Sequence, residues 1–272
     1  MTQVWRDMDR ATLDVAYSNS GAVPNVGELI AEFERRSAAF LDSPAARLRE
    51  RDVRYGAAER QRFDFFPAPG ADAPTFVFIH GGYWQSRAKE EFTFVAEGPL
   101  GLGMNVAMAE YTIAPDAKMT QIVREIGELL DFLVARGIAR IVLCGHSAGG
   151  HLAAVYRNHA AVVAVLPVSG LFDLKPISAG SLNDKLGLSE EEIERYSPVR
   201  HIQPGPPMVV AVGSSELPEL VRHSREYAHA CGSAGEAVSY LPVPDANHFS
   251  ILFDLAQPDG VQLSALAKII ES

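Results

Sequence analysis

Ser147 stands at the centre of Gly145-His146-Ser147-Ala148-Gly149, between the apolar run Ile141-Val142-Leu143-Cys144 and a stretch that reads as a helix. A serine at the tip of so tight a strand-to-helix turn is held in a strained backbone conformation. Its hydroxyl is lifted above the sheet edge, where it can act as a nucleophile. Residues two positions away on either side must be small for strand and helix to approach, and Gly145 and Gly149 meet that need. The amide of Ala148, at a helix N-terminus, is left free to donate to an anion.

A serine needs partners to become a nucleophile. His80-Gly81-Gly82-Tyr83-Trp84 follows Thr75-Phe76-Val77-Phe78-Ile79, a β-branched and aromatic run that reads as a buried strand. Its two glycines let backbone amides face a developing oxyanion, so Gly81, Gly82 and Ala148 are the expected oxyanion hole. His80 is expected to brace that loop by hydrogen bonding. Late in the chain, Pro244-Asp245-Ala246-Asn247-His248-Phe249 follows the strand-like Ala237-Val238-Ser239-Tyr240-Leu241, and His248 is the expected general base. His146, His151, His159, His201, His223 and His229 read as surface or helix residues. The acid should lie between serine and histidine, in the loop after Met208-Val209-Val210-Ala211-Val212-Gly213. Glu216 fits, with Glu219, one helical turn on, and Asp245, in the histidine's own loop, as rivals. Tyr83 and Trp84, just beyond the glycines, are expected to line the substrate pocket as an aromatic wall.

His80-Gly81-Gly82-Tyr83-Trp84-Gln85-Ser86 and Gly145-His146-Ser147-Ala148-Gly149 together resemble the serine-dependent arylformamidases, the kynurenine formamidases of the α/β-hydrolase superfamily. The likeness continues through Ile113-Ala114-Pro115, Ser169-Gly170-Leu171-Phe172-Asp173-Leu174 and Asn247-His248-Phe249. It implies a mostly parallel sheet with helices on both faces and an aryl formamide substrate such as N-formylkynurenine. The family's acid is commonly aspartate in the loop where this chain has Glu216. Sequence chemistry alone implies only an ester or amide hydrolase working through an acyl-enzyme. A carboxylesterase for short acyl esters would use the same residues. A non-catalytic binding protein on the same scaffold would usually lack one of the three, and candidates for all three are present.

The 272 residues suit one α/β domain. A hydrophobic content of 47% supplies a substantial core, and a formal net charge of -10 argues against nucleic acid and anionic membrane surfaces as partners. The partner expected is a small-molecule substrate, with a homodimer left open. Met1 to Arg10 carries no apolar run of signal-peptide length, so a cytoplasmic location is expected. Cys144 and Cys231 do not suggest a disulfide framework, and no metal or cofactor motif is found.

Strand-like and helix-like segments alternate from about Val53 onward, which implies a mostly parallel sheet. A helix from about Lys118 to Arg136 turns Ile122, Ile126, Leu129, Leu130 and Leu133 inward, and Gly137 ends it. Two segments lie outside this alternation. Within residues 1–52, Asn25 and Glu28 resemble a capping pair for a helix with Val26, Leu29, Ile30, Phe33, Phe40 and Leu41 on one side, and the segment is expected to fold over the active edge. Residues 175–200 read as a small helical cap with Ser189 as an N-cap, and Glu190 to Glu192 read as a solvated first turn.

Overall fold

The computed structural model describes residues 3–70 and 73–270. Its strands are β1 (Glu50–Arg54), β2 (Arg62–Phe66), β3 (Thr75–Ile79), β4 (Asn105–Ala109), β5 (Ile141–His146), β6 (Val162–Val168), β7 (Met208–Gly213) and β8 (Val238–Val243). They form one eight-stranded sheet in the order β1-β2-β4-β3-β5-β6-β7-β8. β2 runs antiparallel to both β1 and β4, and every pairing from β4 to β8 is parallel.

Parallel strands need crossovers, and crossovers place helices on both faces, so the central strands are apolar throughout. β3 and β5 are buried along their whole length. Alternate residues serve opposite layers: Val77, Ile79 and Leu143 join one core cluster, while Phe76, Phe78, Val142 and Cys144 join the other. The first cluster includes the inner face of the helix Met119–Ala135, with Ile122, Ile126, Leu129, Leu130 and Leu133 all buried. Gly137, at φ 91°, ends that helix as expected.

The topology gathers the chemistry. Loops leaving the C-terminal ends of β3, β5, β7 and β8 carry His80 to Trp84, Ser147, Glu216 and His248 respectively. In open α/β sheets this is the edge at which ligands bind.

Two groups of helices stand above that edge. The first comprises Arg10–Ala16, Asn19–Ala22 and Val26–Leu41; the second comprises Lys175–Ala179, Asn183–Leu186 and Glu190–Tyr196. They meet where Asp14 accepts the Ser181 amide at 2.7 Å and Arg10 pairs with Asp184 at 2.7 Å. Two local expectations are corrected. The helix at Val26 does begin after Asn25, but the Asn25 side chain makes no capping hydrogen bond. Its main-chain carbonyl accepts the Glu28 amide at 3.0 Å instead. Glu192 is not a solvated first-turn residue: it closes a capping box with Ser189 and accepts both the amide and the hydroxyl of Thr120 at 3.0 Å. Burial raises the Glu192 carboxyl, and the donors from Thr120 and Ser189 outweigh it, leaving the pKa below the ordinary value.

Candidate active site

Ser147 sits at φ 56° and ψ -116°, a left-handed conformation that side chains other than glycine rarely adopt. The turn is that tight because the helix Ala148–Val155 lies directly on the strands. A Cβ at Gly145 would stand 2.2 Å from the Gly149 carbonyl oxygen, and one at Gly149 would stand 1.9 Å from that of Ile79. The Ser147 amide is held by the Val168 carbonyl at 2.8 Å, tying the turn to the neighbouring strand. Cys144, three residues earlier in β5, is buried and has no disulfide partner.

Beyond the sheet, His248 Nδ1 lies 2.6 Å from Glu216 Oε2. The other carboxylate oxygen, Oε1, accepts the Ser169 hydroxyl at 2.5 Å and the Gly213 amide at 2.7 Å. The Nδ1 proton of His248 therefore goes to the carboxylate, which leaves Nε2 with a lone pair. The histidine is held from its backbone as well, since His146 Nε2 donates to the His248 carbonyl at 2.8 Å. Glu219 and Asp245, the rival acids, lie elsewhere. Glu219 pairs with Arg222 at 2.7 Å and accepts the Tyr17 hydroxyl at 3.0 Å, while Asp245 is exposed in its turn, its amide bonded to the Ser214 hydroxyl.

The glycine loop after β3 is equally constrained. Gly82, Tyr83 and Trp84 all adopt positive φ, at 109°, 50° and 57°. The Gly82 carbonyl closes the turn by accepting the amides of Gln85 and Ser86 at 3.0 and 3.1 Å. Among the described residues, the amides of Gly82 and Ala148 have no protein acceptor. His80, wholly buried behind the loop, has Nδ1 2.7 Å from the Gly81 carbonyl and Nε2 3.0 Å from Glu110 Oε1.

Ser147, His248, Gly81 and Gly82 line one cavity of about 380 Å³. Its far wall comes from the N-terminal segment and the cap, including Tyr17, Asn19, Phe33, Ile177, Leu182 and Lys185. Tyr83 is on this wall, with its hydroxyl donating to the Tyr17 carbonyl at 2.6 Å and accepting from Asn19 Nδ2 at 3.1 Å. Burial first, then the Glu216 charge, pushes the Tyr83 phenol well above its ordinary pKa, so it stays protonated.

Trp84 departs from the expected wall. Its indole is fully buried, is absent from the cavity lining, and packs edge-on to His151 with ring centroids 5.0 Å apart. Successive residues of a turn point to different sides, so only one of the aromatic pair faces the cavity. Three histidines that read as surface or helix residues are also buried: His146, His151 and His223. Burial holds all three below the ordinary imidazole range, His151 at about 4. The Ser169, Glu110 and Asn19 contacts were not read from the sequence. Only Glu110 left a signal there, as a carboxylate ending the apolar run Val106-Ala107-Met108-Ala109.

A mostly parallel sheet with a strained serine turn, a histidine–carboxylate pair and a glycine loop at its strand ends defines an α/β-hydrolase, and the protein is a hydrolase enzyme. A domain family described as BD-FAE matches residues 65–165. The kynurenine formamidase of Danio rerio is 32% identical over 289 aligned residues, covering 98% of each chain. That of Salmo salar is 32% identical over 80% of this chain and 81% of its own. A crystal structure of a candidate thioesterase from Silicibacter sp. superposes with a TM-score of 0.86 at 28% identity, covering 94% of this chain and 98% of the other. The chain belongs to the kynurenine formamidase family.

Proposed function

We propose that this hydrolase removes a small acyl group, formyl above all, from an aryl amide such as N-formylkynurenine, with Ser147, His248 and Glu216 as its triad. The observation that carries the reading is the 2.6 Å bond between His248 and Glu216 beside the cavity that His248 shares with Ser147. His248 Nε2 takes the hydroxyl proton as Ser147 Oγ attacks the acyl carbon. The oxyanion that forms is held by the amides of Gly81, Gly82 and Ala148. His248 returns the proton to the departing aryl nitrogen as the C–N bond breaks, leaving an acyl-serine. Water, deprotonated by the same histidine, then releases formate and free serine.

Two features support the substrate class. The relatives matched over most of the chain are kynurenine formamidases. The cavity brings the rings of Tyr17, Phe33, Tyr83, Phe92 and Phe249 around the serine, a lining suited to an aryl leaving group. The N-terminal segment and residues 175–200 act as covers on a single domain.

A turnover panel of N-formylkynurenine, N-formylanthranilate and short p-nitrophenyl esters tests the reading. Efficient cleavage of the formamides is expected, together with labelling of Ser147 by a fluorophosphonate. A strong preference for long-chain acyl esters would abandon the formamidase reading, and failure of Ser147 to label would abandon the nucleophile.

A further inference from the structure

We propose that His80 works as an imidazolium that polarises the Gly81–Gly82 peptide and thereby strengthens the Gly82 N–H as an oxyanion donor. This rests on the reading of Gly82 as part of the oxyanion hole.

The hydrogen-bond inventory around the ring leaves little freedom. The Gly81 carbonyl, 2.7 Å from Nδ1, can only accept, so Nδ1 carries a proton. Nε2 faces Glu110 Oε1 at 3.0 Å. That carboxylate meets only donors elsewhere: Arg60 at 2.6 Å and the Tyr111 amide at 3.1 Å on Oε1, and the Lys89 amide at 3.0 Å on Oε2. The Arg60 guanidinium and the two main-chain amides can only donate, so the carboxyl accepts at each of these contacts, as a carboxylate does. Glu110 is therefore ionised and accepts from Nε2, and both ring nitrogens hold protons.

The surroundings suit a buried cation. Tyr111 stacks on one side of the ring at a centroid distance of 4.6 Å, and Phe92 lies parallel to it at 6.0 Å, presenting aromatic faces to the charge. Arg60 is the other cation at Glu110, while the Lys89 ammonium turns to Asp52, Asp64 and Glu90. The Tyr55 hydroxyl is occupied by the Glu110 main-chain carbonyl at 2.7 Å.

The carbonyl that His80 grips and the Gly82 N–H belong to one peptide unit. In a trans peptide the two point in opposite directions, so a donor pulling on the carbonyl from behind acts on an N–H that faces away from it. A charged donor there draws electron density from the nitrogen, makes its proton a better donor, and fixes the plane of the peptide before any oxyanion forms. His80 never touches substrate. It is a positioning residue acting through the backbone.

The test has a spectroscopic arm and a kinetic arm. In uniformly ¹⁵N-histidine-labelled protein, the His80 resonances, assigned by their loss in His80→Asn, are expected to show both ring nitrogens protonated at pH 7. A deprotonated ring nitrogen in the folded protein would overturn the proposal. In His80→Asn a neutral amide can still reach the Gly81 carbonyl, so the loop bond is kept and the charge removed. With both N-formylkynurenine and p-nitrophenyl acetate, kcat is expected to fall about tenfold or more with KM within about twofold. An unchanged kcat, or a loss confined to KM, would overturn it. If only the ester is turned over and its kcat still falls, the substrate assignment fails while the role of His80 stands.

Discussion

Ser147 and His248 form one working unit if the proposed mechanism holds, and units of that kind respond non-additively to mutation. Ser147→Ala and His248→Ala are each expected to lower kcat by about 10³-fold to 10⁶-fold, with the double variant little worse. Near wild-type turnover in Ser147→Ala would refute the nucleophile. The acid is tested by ranking. Glu216 is bonded to His248 Nδ1, whereas Glu219 is engaged by Arg222 and Tyr17 and Asp245 is exposed. Glu216→Gln should therefore harm kcat far more than Glu219→Gln or Asp245→Asn, and a larger loss in Asp245→Asn would move the role there. The Ser147 turn, His248 and Glu216 were legible as neighbours because each follows a strand, and parallel strands bring their C-terminal ends to one edge of the sheet. Which member of the Tyr83–Trp84 pair faces the cavity was not legible, because it depends on three successive positive φ values. Ser169 was equally hidden: a hydroxyl that reaches a carboxylate 47 residues away leaves no local pattern.

Among the elements, the cap helix Glu190–Tyr196 is hydrogen-bonded to the first turn of the helix Met119–Ala135 through the Glu192 carboxylate. Glu192 serves its own N-terminus through Ser189 and the first turn of the other helix through Thr120. Glu192→Ala is expected to cost about 1–2 kcal/mol, seen as a lower urea midpoint, and to raise KM with little change in kcat, because the cap walls the cavity without touching the acyl carbon. The sign with pH follows from a carboxyl lowered on folding. Its contribution is complete above the unfolded value near 4.5 and is lost as pH falls through the lower folded value. A variant as stable as the wild type at pH 7 would deny the fastening. The sequence announced this helix through Ser189 and the acidic first turn, yet a first turn of glutamates looks the same whether it meets solvent or a neighbouring helix.

At the scale of the whole molecule, burial has placed several imidazoles where they cannot easily charge. His146, His151 and His223 are held below the usual histidine range by desolvation, with the charge of Arg222 adding to the last. For a group whose folded pKa is depressed, the unfolded chain binds more protons as pH falls below about 6.5. Each such histidine then withdraws up to about 1.4 kcal/mol per pH unit until its folded value is reached. Urea unfolding at pH 8, 6 and 5 should show stability declining well before the carboxylates titrate. A flat profile between pH 8 and pH 5 in His80→Asn, which lacks the opposing contribution of the His80 cation, would contradict neutral burial. That the sheet is mostly parallel was readable from the alternation of segments, but its strand order was not, and the depth at which these histidines lie depends on how the covers pack, which pattern alone does not carry. That packing also gives the protein a built-in clock. Cys144 lies in the central strand and Cys231 in the helix Pro218–Ser233, both buried and both free thiols. A thiol reagent added to the native protein can label either only when its surroundings open, so the two labelling rates would separate breathing of an outer helix from dissolution of the sheet, with no reporter group introduced.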